Sequence, residues 1–563
     1  MFRPLLHLER TSHHTRVKVV TRTALLLVFL ISLAAGAQPV RADSLYQWSV
    51  RVPHHTGKRA YLWISPNCQR VRGLILGVQN MLEAPMLGDA TIRKAAAQCG
   101  LGILWIAPGN IGVHDSGLCI GDQFGPPAKA GRQLQGALNR LAQVSGYTEL
   151  RYAPLLIVGH SAAATFVYGI AAWNPARIIA IMPDKCGFPS GNQSPLQHGV
   201  PVFRVTSEWA EWGRGWGSLV QSDIKTFEHQ RKLHPHAAMG QFVDVGTGHF
   251  DWNPASAPII ALFIKKAVEY RVPAQAPLNK PVRLKPVNLA AGGVIDIARL
   301  GKPSSKAVPQ SQYQGKPSHA AWFFDVSLAN AVNEYMAAGY ARKPQMIDFT
   351  IHGKPAPLIK GGYAVLGPHW EANGITFQVH AEYLDRSPTK NLFAGQALGH
   401  CDQPIQFRPV DGAGLKQVGP NTFEMWLHRG GVRRQGNPWE PWVLAYSRGN
   451  QQYRSADRPA HFWVKLRNTT GRRQGLTFAP IANQLVGGGP ITLHATASSG
   501  LPVQFFVISG PVRLKGNTLV QTRIPPRATF PMRVLVGAYQ WGRVGGNAIQ
   551  SAGPVTRQFL IQK

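Results

Sequence analysis

Ser161 stands in Gly159-His160-Ser161-Ala162-Ala163, directly after the apolar run Leu155-Leu156-Ile157-Val158. A serine hydroxyl becomes a nucleophile only when a base takes its proton and fixed donors steady the oxyanion that follows. Among 20 histidines, place in the chain selects His249. It lies in Gly248-His249-Phe250, just past the apolar stretch 241–245 and before the last of a series of helical stretches. An imidazole acting as base needs a carboxylate to fix its tautomer. Two candidates, Glu208 and Glu211, follow the strand-like stretch 201–206, with Glu211 nearer the customary distance beyond a strand end. Asp184, after 178–182, is a third. The order serine, acidic residue, histidine is one in which such triads occur. Ala162 N–H is one oxyanion donor by position, and the second is expected from Gln79 or Asn80. Trp209, Trp212, Trp216 and Trp252 lie close in sequence to the acid and the base, where they would either line a cleft or pack as core aromatics.

A strand that stops at Gly-x-Ser and passes into a helix sets the serine on a tight turn, its hydroxyl above the end of a sheet. The residues before Ser161 suit a strand buried on both faces, and Ala162 to Trp173 suit a helix packed closely on that sheet. The plainer reading of the pentapeptide alone is a serine capping a helix N-terminus. Further strands are expected at 45–52, 60–64, 73–78, 102–108, 178–182, 202–206 and 241–245, with helices at 90–98, 128–144, 218–233 and 257–270. Strands alternating with helices build a mostly parallel sheet covered on both faces, with its site at the carboxyl ends of the strands.

With these elements in order, residues of about 45 to 272 resemble the α/β-hydrolase superfamily. They look most like secreted bacterial members of the esterase type, with Gly159-His160-Ser161-Ala162-Ala163 as nucleophile elbow and Gly248-His249-Phe250 as histidine turn. The resemblance implies acyl transfer to water by a Ser-His-Glu triad, without a cofactor. It departs from the usual pattern in Ala163, in a glutamate acid and in the loop Gln79-Asn80-Met81. The substrate is not fixed by it, since one fold serves many activities.

The chain has 563 residues, 44% hydrophobic and 15% charged, which is globular rather than disordered composition. Arg16, Lys18 and Arg22 precede the uncharged run 23–37, so residues 1–37 read as a secretory signal peptide cleaved near Gln38 or Asp43. The run is short for a membrane span, and an uncleaved anchor is the other reading. The protein is expected outside the cytoplasm, periplasmic or secreted, with no transmembrane span after leader cleavage. The formal charge of +33 becomes +29 once the leader's five basic residues and one acidic residue are removed. Such a charge favours adhesion to anionic polymers or an envelope surface. No basic run interleaved with aromatics marks a nucleic-acid site. The five cysteines are Cys68, Cys99, Cys119, Cys186 and Cys401, an odd number with no zinc-type spacing.

The expected division is a hydrolase domain over 43–272, a Pro-rich linker or wrapping arm over 273–319, a β-rich accessory domain over 320–470 and a β-sandwich over 476–563. The β-rich part opens with a helix-like stretch, 320–336, followed by short strands at 376–381, 422–427 and 460–466. The last unit resembles bacterial immunoglobulin-like modules through 495–503, 507–512 and 516–519, which implies a spacer or a polysaccharide-binding unit. Three functions compete: an exported esterase acting on acylated polysaccharide or plant-derived esters, a serine peptidase on the same triad, and a surface-binding protein that does not turn over.

Overall fold

A computed structural model describes residues 45–54, 57–108, 128–188, 195–208, 219–359, 362–388, 393, 395–410, 414–427, 429, 440–465 and 467–563. Eight strands form the first sheet: β1 (Trp48–Arg51), β2 (Arg59–Trp63), β3 (Gly73–Val78), β4 (Leu101–Ala107), β5 (Leu155–His160), β6 (Ile178–Asp184), β7 (Val202–Ser207) and β8 (Met239–Asp244). Their order is β1-β2-β4-β3-β5-β6-β7-β8. β1 and β2 run antiparallel, and from β4 to β8 every pairing is parallel. β3, β5, β6, β7 and β8 are buried along their whole length. That is why β3, β5 and most of β6 read as continuous apolar runs rather than alternating ones, while β7 and β8 also bury Arg204 and Gln241, which bond to each other.

The helices are α1 (Glu83–Gly88), α2 (Ala90–Cys99), α3 (Ala128–Ser145), α4 (Ala164–Trp173), α5 (Leu219–Leu233) and α6 (Ala257–Arg271). Right-handed crossovers place helices by the direction in which the chain moves across the sheet. From β3 to β4 it moves one way, and from β4 onward to β5 and β6 the other. Accordingly α2 covers one face, joined there by α6, and α3 and α4 cover the opposite face. The arrangement is consistent with the α/β-hydrolase fold expected from the sequence. Because β3 has β4 on one side and β5 on the other, the loops leaving β3 and β5 diverge. The crevice at their carboxyl ends is a topological switch point, and Ser161 sits there.

The arm after Arg271 is ordered against the first sheet and its helices. Strand Gly293–Asp296 pairs with Val308–Pro309 and Ala320–Phe323, and Ala320 O accepts from Arg231 Nη2 at 2.7 Å. The stretch expected to be helical from 320 thus begins as a strand; the helix, α7, runs Val326–Tyr340 once Asp325 caps it through Leu328 N–H. The β-rich part holds a four-stranded sheet in the order Ala364–Val365, Ala456–His461, Trp442–Ser447, Gln406–Pro409. Its strand at 456–461 lies earlier than the expected 460–466. The expected strand 376–381 is divided between two sheets, as Thr376–Gln378 and His380–Tyr383. The C-terminal part is built of strands, the longest being Met532–Gln540 and Ala552–Gln562 in antiparallel register. It is packed in place: Ser509 Oγ lies 2.7 Å from Ser49 Oγ, and Arg527 pairs with the buried Glu149 at 2.8 Å. Phe506, Tyr539 and Trp541 share a core with the β-rich part.

Candidate active site

Ser161 follows β5 with φ of 52°, a left-handed conformation that costs a residue bearing a Cβ roughly 1–3 kcal/mol and persists only where its surroundings enforce it. The enforcement is local. A Cβ on Gly159 would fall 2.6 Å from Val167 Cγ2 and 2.9 Å from Ala163 O, so the helix returns over the strand closely enough to demand glycine there. Ala163, in the position where glycine is usual, is accommodated and buried.

The structure places His249 Nε2 2.9 Å from Ser161 Oγ. For that nitrogen to accept from the hydroxyl, the imidazole proton must sit on Nδ1. His160 packs beside it, ring centroids 4.7 Å apart, and donates from Nε2 to His249 O at 2.8 Å. Burial first, then the neighbouring charge of His249 and of Lys185, hold His160 well below the usual histidine range, so it is a neutral brace.

The carboxylates divide. Glu208 is buried, with Oε2 accepting from Gly246 N–H at 2.8 Å and Oε1 paired to Arg454 at 3.0 Å. Both oxygens are thereby engaged at the base of the histidine turn. Glu211 lies outside the described residues, as do Trp209, Trp212 and Trp216. Asp184 stands opposite His160 in the β5–β6 register, fully buried, and burial raises its carboxyl to about 7 against the opposing charge of Lys185. Trp252 is buried and donates to Asp89 Oδ2 at 3.3 Å, tying the turn to the start of α2.

On the oxyanion side, Ala162 N–H lies in the first turn of the helix, where backbone donors lack intrahelical partners. The other two candidates have their amides engaged: Gln79 N–H donates to Ile106 O at 2.8 Å and Asn80 N–H to Glu83 Oε2 at 2.8 Å. Glu83, which sequence reasoning passed over, also accepts from His160 N–H at 2.6 Å, while Asn80 Nδ2 donates to His160 O at 2.7 Å. One buried carboxyl group thus ties the loop after β3 to the residue preceding Ser161. Burial raises Glu83 to about 8 despite the amides that donate to it.

Lys185, also unforeseen, is buried with φ of 50° and reaches from the end of β6 to the histidine turn, donating to Gly248 O at 2.9 Å and to Asp251 O. The described residues contain no cluster of three or more His, Cys, Asp or Glu side chains arranged to hold a metal. Cys68, Cys99, Cys186 and Cys401 are unpaired thiols, and Cys119 lies outside the described residues. A cavity of about 1010 Å³ lies at the opposite end of the sheet, lined by Arg151, Arg177, His198, His236, Arg271 and Arg283 among others. Arg177 and Arg271 are spent there on carbonyls of the strand entrances, among them Ala153 O and Ile179 O.

No protein-family model and no curated protein matches the chain. Solved structures that resemble it include a dienelactone hydrolase from Anabaena variabilis ATCC 29413, at 13% identity over 41% of this chain and 100% of that one, with a TM-score of 0.28. Another is an S-formylglutathione hydrolase from Agrobacterium tumefaciens, at 13% identity over 40% of this chain and 92% of that one, with a TM-score of 0.27. Likeness of this degree carries no argument about activity.

Proposed function

We propose that the protein is an exported serine hydrolase that cleaves carboxylic esters through an acyl-enzyme on Ser161. The observation that carries this reading is the 2.9 Å approach of His249 Nε2 to a serine held at positive φ over the switch point of the sheet. In the proposed reaction His249 takes the hydroxyl proton as Ser161 attacks the ester carbonyl, and the oxyanion is met by backbone N–H groups. Collapse of the tetrahedral intermediate expels the alcohol, which receives the proton from His249. Water then repeats the sequence on the acyl-enzyme and releases the acid.

Ala162 N–H is the first oxyanion donor in this scheme. For the second we propose Met81 N–H, because the amides of Gln79 and Asn80 are already engaged and that of Met81 meets no acceptor among the described residues. Glu211 is the proposed acid, since both oxygens of Glu208 are committed to Gly246 and Arg454. Acylated polysaccharides or plant-derived esters are the proposed substrates, on the strength of the leader and the appended β-rich parts. The leader is expected to leave a mature chain beginning at Gln38 or Asp43, which N-terminal sequencing of the exported protein checks.

A fluorophosphonate tests the reading. It should label Ser161 of the wild type, and Ser161→Ala and His249→Ala should abolish the adduct. A folded wild-type chain that takes up no label would refute it.

A further inference from the structure

The turn that carries His249 runs from the end of β8 at Asp244 to the start of α6 at Ala257. Its polar groups are held largely by residues some two hundred positions downstream. Gly248 N–H donates to Asp457 Oδ2 at 2.6 Å. Ser455 Oγ donates toward Gly246 O at 3.1 Å, and a Cβ on Gly246 would fall 2.5 Å from Ser455 O. Asp251, two residues past the histidine, is fully buried between Arg408 at 2.7 Å and Arg448 at 2.5 Å. Burial alone would raise its carboxyl; the guanidinium charges of Arg448 and Arg408 outweigh that and hold it well below the usual range. Phe250 packs on Trp442, ring centroids 4.5 Å apart. Even Glu208, which accepts from Gly246 N–H, is paired across the boundary to Arg454.

Three of these contacts, those of Arg408, Trp442 and Asp457, share one origin. In a strand, successive side chains point to opposite faces. In the four-stranded sheet of the β-rich part, Phe407, Val443, Ala445, Ala456 and Ala460 point into that part's own core. The alternate positions include Arg408, Trp442, Asp457 and His461, and the first three of these meet the histidine turn. Asp457 is 1% exposed, and its other oxygen, Oδ1, has no hydrogen-bond partner among the described residues. A carboxylate sunk this far to accept one backbone N–H is costly to bury, and the bond it makes is to the residue immediately before the base.

We propose that this sheet is a component of the active site: Asp457, with Arg408, Arg448 and Ser455, holds the His249 turn in register with Ser161, and Asp457 is a positioning residue. The proposal rests on the assignment of His249 as base. A hydrolase segment with its elbow and histidine in place is, on this view, incomplete until the β-rich part docks.

The test uses the full chain. Asp457→Ala removes the acceptor for Gly248 N–H, whereas Asp457→Asn keeps a carbonyl oxygen there. A misplacement near 1 Å costs on the order of 10²-fold in rate, so Asp457→Ala should lower both kcat on p-nitrophenyl acetate and the fluorophosphonate labelling rate about that much, with KM nearly unchanged. Asp457→Asn should recover most of the loss. Ser455→Ala, which deletes one hydroxyl, serves if Asp457→Ala does not fold, and should slow labelling at a temperature where the variant is still fully folded. Labelling by the folded variants at the wild-type rate would overturn the proposal and leave the hydrolase reading intact. Absence of label on the wild type would overturn both.

Discussion

Glu83→Gln makes a demanding test of the carboxylate under the elbow. In the wild type both oxygens accept backbone N–H groups, from His160 at 2.6 Å and from Asn80 at 2.8 Å. Glutamine replaces one oxygen with an NH2 that cannot accept, leaving one buried N–H unpaired at a cost of ~1–3 kcal/mol. Against this stands burial, which raises the Glu83 carboxyl from 4.5 to about 8. A carboxyl whose folded value exceeds its unfolded value contributes stability that is complete below the unfolded value and is lost as pH rises through the folded one. Between pH 5 and pH 8 the wild type should therefore lose ~3–4 kcal/mol, at 1.36 kcal/mol per unit, that the variant keeps. Buried acids remote from Glu83 titrate in both proteins and cancel in the difference; Asp184, whose charge adds to the raising of Glu83, contributes its coupling to it. The order should reverse: Glu83→Gln less stable than wild type at pH 5, more stable at pH 8. Urea unfolding of both proteins at the two pH values measures it. A stability difference that stays constant across that range would refute the reasoning, by showing that the two amide donors outweigh burial and keep the carboxylate ionised throughout.

The triad acid is separated by three substitutions. Glu211→Gln should lower kcat by roughly 10⁴-fold, as loss of the tautomer-fixing acid does elsewhere. Glu208→Gln should act first on stability, by ~1–3 kcal/mol in thermal or urea unfolding, because it disturbs the Gly246 and Arg454 contacts. Asp184→Asn should leave kcat within about tenfold of wild type; a loss near 10⁴-fold there, with Glu211→Gln active, would move the acid to the end of β6. The labelling and leader-cleavage experiments, and the Asp457 series, complete the set.

Much of the first sheet was legible in the sequence because most of its strands are buried on both faces and so read as apolar runs ended by glycine or a polar residue. The elbow and the histidine were found by their places after such runs. What holds them was not. Glu83 sits in the first turn of a helix, where an acidic residue is ordinary. Lys185 looks like any cation among 60. The strand Ala456–His461 contains Asp457, Arg458 and Pro459, a composition that argues against a strand. It exists because Arg458 pairs with Asp348 at 3.0 Å and Asp457 meets Gly248. Tertiary partners decide it, and no local pattern records them. The same holds for Glu208, whose nearness to a strand end suggested catalysis and whose contacts are those of a brace.

The bond from Gly248 to Asp457 joins positions 209 apart, and this distance is also an interval of time. A chain is made at ~5–20 residues per second, so on the order of 10–40 s separate the appearance of the histidine from that of its holder. Through that interval the strands, the elbow and the imidazole already exist, and their contacts within the first part are comparatively local and quick to form. The long-range clamp comes last. If the sheet completes the site as proposed, competence waits for Asp457, and a nascent product ending between His249 and Asp457 carries the serine and the histidine without the sheet that sets them against each other.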